Sequence, residues 1–129
     1  MLANRVAARV NAKYPDVNFR LLAYVNFSMP PAREPVNPNV IPVIAPIDFN
    51  RHHPMDWPDH PNHYWLRDMV TGWAAKAPRW GYYAYGMNLA ELTAPCPFIT
   101  KWSTDLKILM DNHMTYWMPE TMGGWDSMM

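Results

Sequence analysis

The chain has 129 residues, with 11 acidic and 11 basic side chains and one cysteine. This length suits a single domain with a hydrophobic core, and the balanced charge provides no general field that would recruit nucleic acid or an anionic membrane. Because Cys96 is the one cysteine, a disulfide framework within these residues is excluded, and no apolar run reaches the length of a membrane span. The 14 Pro, 7 Trp and 7 Tyr indicate aromatic packing with long shaped loops rather than disorder.

The first part of the chain predicts one helix followed by two strands. Residues 2–13 carry apolar side chains at helical spacing, and the residue before Pro15 ends that helix. Residues 19–25 read as a mostly apolar strand, and the connection 26–39 contains four prolines and no helical pattern. Residues 40–46 form a second apolar strand, whose prolines leave one of its sides poorly paired. The apolar positions of the helix are Leu2, Val6 and Val10.

The middle of the chain predicts a long polar loop, a helix and an aromatic strand. Residues 47–61 form the loop, and loops of this length in compact domains are usually functional. Asn62 caps a helix that ends near Pro78. Residues 80–85 then form a strand rich in the aromatic side chains that strands favour.

The last part of the chain predicts a helix and a final strand. Residues 99–112 form the helix after a loop at 86–98, and the strand begins at Met114. Pro119 has no N–H to donate to a sheet, so we expect pairing to stop there and Glu120 to lie just beyond the strand. The side chains expected to be buried on the helix are Trp102, Leu106, Leu109 and Met110.

The order α-β-β-α-β-α-β predicts an α/β fold in which four parallel strands are flanked by helices. Every loop after a strand is long, whereas the turns that enter the strands are short, as in a (β/α)8 TIM barrel. A complete barrel has eight strands and about 250 residues. We therefore expect residues 1–129 to form one partial domain, the C-terminal half of a barrel truncated at both ends, with the missing N-terminal half as its partner. A small complete α/β sandwich is the alternative.

Segments along nearly the whole chain match the pattern of one protein family, in the same order. They are Asn4–Ala7, Lys13–Val17, Leu22–Tyr24, Pro30–Pro31, Asn39–Ile41, His53–Pro54, Trp73, Tyr85, Pro95–Pro97 and Glu120. In these segments the chain resembles the bacterial family catalogued as domain of unknown function 4838. The resemblance implies a glycoside-hydrolase-like TIM barrel, akin to the α-glucuronidases, in secreted or periplasmic proteins that degrade polysaccharides. The chain departs from the family at Ala84, where an acidic residue is common, and in lacking the upstream half of the barrel.

Two carboxylates follow predicted strands and are the candidate catalytic residues. Glycoside hydrolysis generally uses two carboxyl groups, about 5 Å apart for retention or about 6.5–9.5 Å apart for inversion. Glu120, between Trp117 and Trp125, is the candidate general acid or base, and Asp48 is the candidate second carboxylate. The alternatives are that Glu120 hydrogen-bonds a sugar hydroxyl or ends the strand, and that Asp48 forms a turn.

Aromatic side chains at strand ends are candidates for binding a sugar, because an aromatic ring stacks on the apolar face of a pyranose. Tyr85 and Trp117 are the stronger candidates, and Tyr24 is the next. Since side chains alternate along a strand, Tyr83 shares a face with Tyr85 and Tyr82 takes the other. The alternative for each aromatic residue is packing in the core.

The polar loop contains a cluster of histidines that fits either a sugar or a metal. Imidazole and carboxylate groups suit zinc, but the histidine spacing differs from that of helical metal-binding pairs. We expect His53 and His52 to bind substrate, and we predict no metal and no cofactor. The cluster comprises His52, His53, His60 and His63, with Asp56 and Asp59.

The sequence thus predicts a carbohydrate-active protein that acts on, or binds, a polysaccharide or oligosaccharide. With the full barrel present it would hydrolyse O-glycosyl bonds. The first alternative is a non-catalytic carbohydrate-binding barrel, favoured by Ala84 and the few strand-end carboxylates. The second is a metal-dependent hydrolase that uses the loop from His52 to His63. We expect no nucleic-acid or membrane partner.

Overall fold

Helices and strands alternate along the computed structural model, which describes residues 1–49, 52–59, 63–87 and 98–120. A short 3-10 turn at Val25–Phe27 follows the first strand. The elements agree closely with the predicted ones, because apolar periodicity and the prolines define their ends. The helices are α1 (Leu2–Asn11), α2 (His63–Lys76) and α3 (Ile99–Asp111), and the strands are β1 (Phe19–Tyr24), β2 (Val40–Ala45), β3 (Gly81–Tyr85) and β4 (Tyr116–Glu120).

The four strands form one parallel sheet in the order β1-β2-β3-β4. Leu22 is level with Val43, Val43 with Gly81, and Gly81 with Tyr116. The sheet is open over the described residues, with β1 and β4 as its outer strands. The predicted α/β fold with four parallel strands and flanking helices is confirmed, and neighbouring strands follow one another in chain order.

Strand β2 pairs unequally with its two neighbours. It lies in register with β1 along its whole length, from Val40 opposite Phe19 to Ala45 opposite Tyr24. Its pairing with β3 is limited to Val43 and Ile44. Pro42 has no N–H to donate, which limits the ladder on one side. The prediction that the prolines leave one side of this strand poorly paired is confirmed.

One face of the sheet carries the hydrophobic core, and all three helices contribute to it. Side chains alternate along each strand, so Ala23 from β1, Ile44 from β2 and Tyr82 from β3 lie on this face together. Trp73 of α2 is buried in the core and donates its indole N–H to the Ser28 carbonyl at 2.7 Å. The fully buried helix residues of this core include Ala7, Leu66, Met69, Val70, Trp73 and Leu109.

Helix α1 contacts the core through a different residue from those expected. The predicted apolar positions included Leu2 and Val6, but Leu2 is 77% exposed and Val6 is also exposed. The buried side chain is Ala7. A methyl group allows the helix to lie close to the sheet, whereas the larger side chains lie on the helix surface that faces away from this core.

Helix α3 buries two charged residues, which corrects its predicted apolar face. Met110 was expected inside but is 65% exposed, and Lys101 and Asp105 are buried beside Leu109. Burial of a charge is tolerated when the group is paired and hydrogen-bonded. Lys101 and Asp105 form an ion pair with each other, so the helix can turn this side towards the sheet.

The second face of the sheet is called here the open face. It is defined by the strand side chains that point away from the core. Gly81 lies on it and lets β4 come close, because a Cβ at this position would be 2.9 Å from the Tyr116 Cβ. The guanidinium of Arg20 lies 5.3 Å from the centre of the Tyr116 ring. The larger side chains of the open face are Arg20, Leu22, Tyr24, Ile41, Val43, Tyr83, Tyr85, Tyr116, Met118 and Glu120.

Candidate functional site at the carboxyl edge of the sheet

A cavity of about 380 Å³ lies on the open face, where the strands end. The carboxyl ends of parallel strands meet at one edge of a sheet, and ligands of open α/β sheets bind there. The cavity combines three tyrosines and one carboxylate with apolar side chains from the strands and the segments after them. Its described lining is Leu22, Tyr24, Ala45, Ile47, Tyr83, Tyr85, Met87 and Glu120.

Glu120 is the last residue of β4 rather than the first residue beyond it. Pro119 lies opposite Ala84, and Glu120 lies opposite Tyr85. The backbone N–H of Gly86 donates to the Glu120 carbonyl at 2.7 Å. The prediction that pairing stops at Pro119 was therefore wrong. Proline removes one donor, but β4 is an outer strand and the carbonyls around the proline still accept hydrogen bonds.

Tyr83 and Glu120 are neighbours on the open face, and both line the cavity. Burial raises the pKa of Tyr83, and its interaction with the nearby, negatively charged Glu120 raises it further. Tyr85 packs edge-on against Tyr83, with ring centres 5.1 Å apart. The structure therefore adds Tyr83 to the candidate site residues.

The sequence contained the signal for Tyr83, since alternation along β3 placed it on the same face as Tyr85. What the sequence did not contain was its proximity to Glu120, which lies on the next strand of the sheet, 37 positions further on in the numbering. A hydrogen bond between neighbouring strands depends on register, and register is a property of the assembled sheet.

Three of the predicted site residues meet in this cavity. Tyr24 comes from β1, Tyr85 from β3 and Glu120 from β4. Each occupies the end of its strand, as the sequence predicted for the side chains that carry function. Aromatic rings and a carboxylate acceptor therefore face one space from three sides.

Trp117 lies on the other face of the sheet, in the helix-side core. Its ring stacks on Tyr82 with centres 5.8 Å apart and packs edge-on against Trp102 at 5.6 Å. Because side chains alternate, a residue three positions before Glu120 points to the opposite side of β4. The structure thus does not bring Trp117 to the cavity. Trp125 lies outside the described residues.

The predicted residues of the loop after β2 are also separate from the described lining of the cavity. Asp48 is exposed in a turn in which the Phe49 N–H donates to the Pro46 carbonyl at 3.3 Å. His52 is exposed, whereas His53 is half-buried. The His53 ring stacks on Trp57 with centres 4.7 Å apart.

The remaining histidines of this loop lie outside the part of the molecule that the structure describes. These are His60 and the side chain of His63. Over residues 1–49, 52–59, 63–87 and 98–120, no group of three or more His, Cys, Asp or Glu side chains is arranged to hold a metal ion.

A buried ion pair between Lys101 and Asp105 connects the loop after β2 to helix α3. The sequence analysis did not predict this pair. The Met55 N–H donates to Asp105 Oδ1 at 2.7 Å, and the Lys101 ammonium lies 5.2 Å from the centre of the Phe49 ring. Burial raises the pKa of Asp105, while Lys101 and the Met55 N–H act in the opposite direction. The sequence shows that Lys101 and Asp105 are four positions apart. This spacing is usual for exposed ion pairs on a helix surface, so it did not indicate that the pair is buried. The pair holds Phe49 and Met55 against α3.

Fold and cavity together define an α/β protein with a parallel sheet and an aromatic, acidic site at its carboxyl edge. The chain belongs to the family described as domain of unknown function (DUF4838), whose model matches residues 1–128. The predicted family is therefore confirmed over almost the whole chain. No curated protein and no solved structure matches the chain. Within the described segments, every helix is too short or too polar to cross a membrane.

Proposed function

We propose that the chain is the carbohydrate-active half of a glycoside-hydrolase-like barrel, and that its cavity binds a sugar. The observation that carries this proposal is the meeting of Tyr24, Tyr85 and Glu120 in one cavity at the carboxyl edge of the sheet. The family resemblance implies this class of protein. The sequential order of the parallel strands and the confinement of the helix-side core to one face support the half-barrel part of the proposal.

The chemistry of the lining suits a pyranose ring. A tyrosine ring covers the apolar C–H face of a sugar, and its hydroxyl remains able to hydrogen-bond at the edge. The Glu120 carboxylate accepts hydrogen bonds from sugar hydroxyls. At about 380 Å³, the cavity lies within the usual size range of small-molecule sites, about 300–1,000 Å³.

In a complete barrel Glu120 would serve as one of the two carboxyl groups of glycoside hydrolysis. The second would come from the other half of the barrel, whose strands face the open face across the barrel axis. The cleaved O-glycosyl bond takes up one water, with one carboxyl group protonating the leaving oxygen and the other assisting the attack on the sugar carbon.

Non-catalytic sugar binding is the second candidate, and a specific observation favours it. Asp48, the other candidate carboxylate, is exposed in a turn and does not belong to the described lining. Ala84 is buried on the helix side of β3, so a side chain at this position does not face the cavity, and Ala84 does not bear on the choice between the two candidates. Among the described lining residues, Glu120 is the sole carboxylate.

An oligosaccharide array with neutral and acidic glycans tests the proposal, followed by isothermal titration calorimetry on the best ligand. We expect Tyr85→Ala to weaken binding about tenfold, since loss of one aromatic contact is worth about 1 kcal/mol or more. Tyr14→Ala, which removes an exposed ring near the end of α1, is the matched control and should bind normally. Absence of any glycan binding, or equal affinity of Tyr85→Ala and Tyr14→Ala, would exclude the cavity as the sugar-binding site.

Catalysis is tested separately with the complete barrel. Glu120→Gln keeps the size and the acceptor oxygen of the side chain but removes its charge and its ability to transfer a proton. We expect turnover of a cleaved glycan to fall by a factor of about 100 or more. Unchanged turnover would leave Glu120 as a sugar-binding residue and favour the second candidate.

A further inference from the structure

We propose that Tyr83 is a positioning residue that holds Glu120 as a hydrogen-bond acceptor, so that the cavity takes a neutral sugar ring in preference to a uronate. This inference rests on the proposed function and names the substrate class of the same site. It assigns a role to a residue that the sequence did not single out. It also separates the expected substrate from the acidic sugars on which α-glucuronidases act.

The sheet geometry makes Tyr83 a fixed neighbour of Glu120. The register places Met118 opposite Tyr83 and Glu120 opposite Tyr85. Glu120 is therefore the diagonal neighbour of Tyr83 on the same face of the sheet, within reach of a long side chain. The Tyr85 ring supports Tyr83 from one side at 5.1 Å, which restricts the rotation of the Tyr83 ring away from Glu120.

The hydrogen bond determines what Glu120 offers to a ligand. A phenol has one proton, and in the proposed pair Tyr83 donates it to the Glu120 carboxylate beside it on the same face. A carboxylate has about four acceptor positions, so Glu120 still accepts from other donors in the cavity. The donors that a sugar supplies are its hydroxyl groups, which are neutral.

A uronate meets a different environment in the same place. Its carboxylate would enter a cavity that already holds the half-buried Glu120 side chain. Like charges a few ångströms apart disfavour each other strongly when water is partly excluded. Apolar side chains, Leu22 and Met87, form other parts of the lining. We therefore expect a neutral oligosaccharide to bind at least about tenfold more tightly than a uronate of equal length.

Calorimetry on the chain with xylohexaose, cellohexaose and hexagalacturonate tests the substrate class. Tighter binding of either neutral hexasaccharide is the expected result, and tighter binding of hexagalacturonate overturns it. Tyr83→Phe removes only the hydroxyl and should weaken neutral binding about tenfold. Tyr116→Phe makes the same change at the other end of the open face, outside the cavity lining, and should bind like the wild type. Equal affinity of Tyr83→Phe and the wild type rejects the positioning role while the proposed function stands.

An NMR titration without any ligand tests whether Tyr83 and Glu120 interact. The ring carbon that bears the Tyr83 hydroxyl is followed by NMR through alkaline pH, in the wild type and in Glu120→Gln. We expect the pKa of Tyr83 to be lower in the variant, because the charge that opposes phenolate formation is gone. An unchanged pKa shows that the pair is absent and overturns the positioning role. If no hexasaccharide binds, the proposed function fails and the substrate class with it, whereas this titration still reports on the pair.

Discussion

Replacement of Asp105 by alanine should destabilise the protein far more than any surface change. The side chain is 1% exposed, forms an ion pair with Lys101 and accepts the Met55 N–H at 2.7 Å. Asp105→Ala therefore leaves a buried ammonium and a buried N–H without their partner. Breaking a buried ion pair in this way typically costs about 3–5 kcal/mol, which is a large fraction of the roughly 5–15 kcal/mol that stabilises an ordinary domain.

Urea unfolding, followed by tryptophan fluorescence, measures this loss, and helix α3 supplies the control. Lys107 and Asp111 form a second i,i+4 pair at 3.0 Å, with side chains 76% and 66% exposed. Asp111→Ala should change the free energy of unfolding by less than about 1 kcal/mol. The double variant Lys101→Met with Asp105→Leu should recover most of the loss, because apolar side chains can replace a buried ion pair. An Asp105→Ala loss no greater than that of Asp111→Ala would refute the reasoning.

Three further predictions concern titration, close packing and association. Burial raises the pKa of Asp105 above 3.8, so the folded state binds a proton that the unfolded state has released. The urea midpoint of the wild type should therefore fall relative to Asp105→Asn as pH rises from 3.8 through the raised pKa, and a relative rise would contradict this sign. Gly81→Ala should lower the free energy of unfolding by about 1–3 kcal/mol in the same assay, because its Cβ meets Tyr116 at 2.9 Å; equal stability would contradict the close approach. Light scattering should show self-association of the chain, because two outer strand edges and apolar side chains such as Phe27 are exposed. A stable monomer with one cooperative unfolding transition would argue against the half-barrel proposal.

The local elements were predictable because each is encoded by nearby residues. Prolines and apolar periodicity defined the strands and helices to within a few residues. The uneven pairing of β2 followed from Pro42, because a missing N–H is a property of the residue itself. The face shared by Tyr83 and Tyr85 followed from the period of a strand.

The errors arose where a neighbouring element decides the outcome. Pro119 was expected to end β4, but a carbonyl acceptor after the proline accepts a hydrogen bond from Gly86. Trp117 was expected at the site, but its ring packs between Tyr82 and Trp102. In both cases the residue type fitted the prediction, and contacts with residues distant in sequence determined the result.

The sequence by itself determined the order of helices and strands, the parallel α/β class, the family and the position of Glu120 near a strand end. These properties follow from local conformational preferences and from the order of residue types along the chain. Only the tertiary structure decided that Tyr83 and Glu120 line one cavity, that Trp117 belongs to the core, and that Lys101 and Asp105 are buried together. The physical reason is that strand register and helix rotation are set by packing across the whole sheet, where burial and hydrogen bonding must be satisfied at the same time.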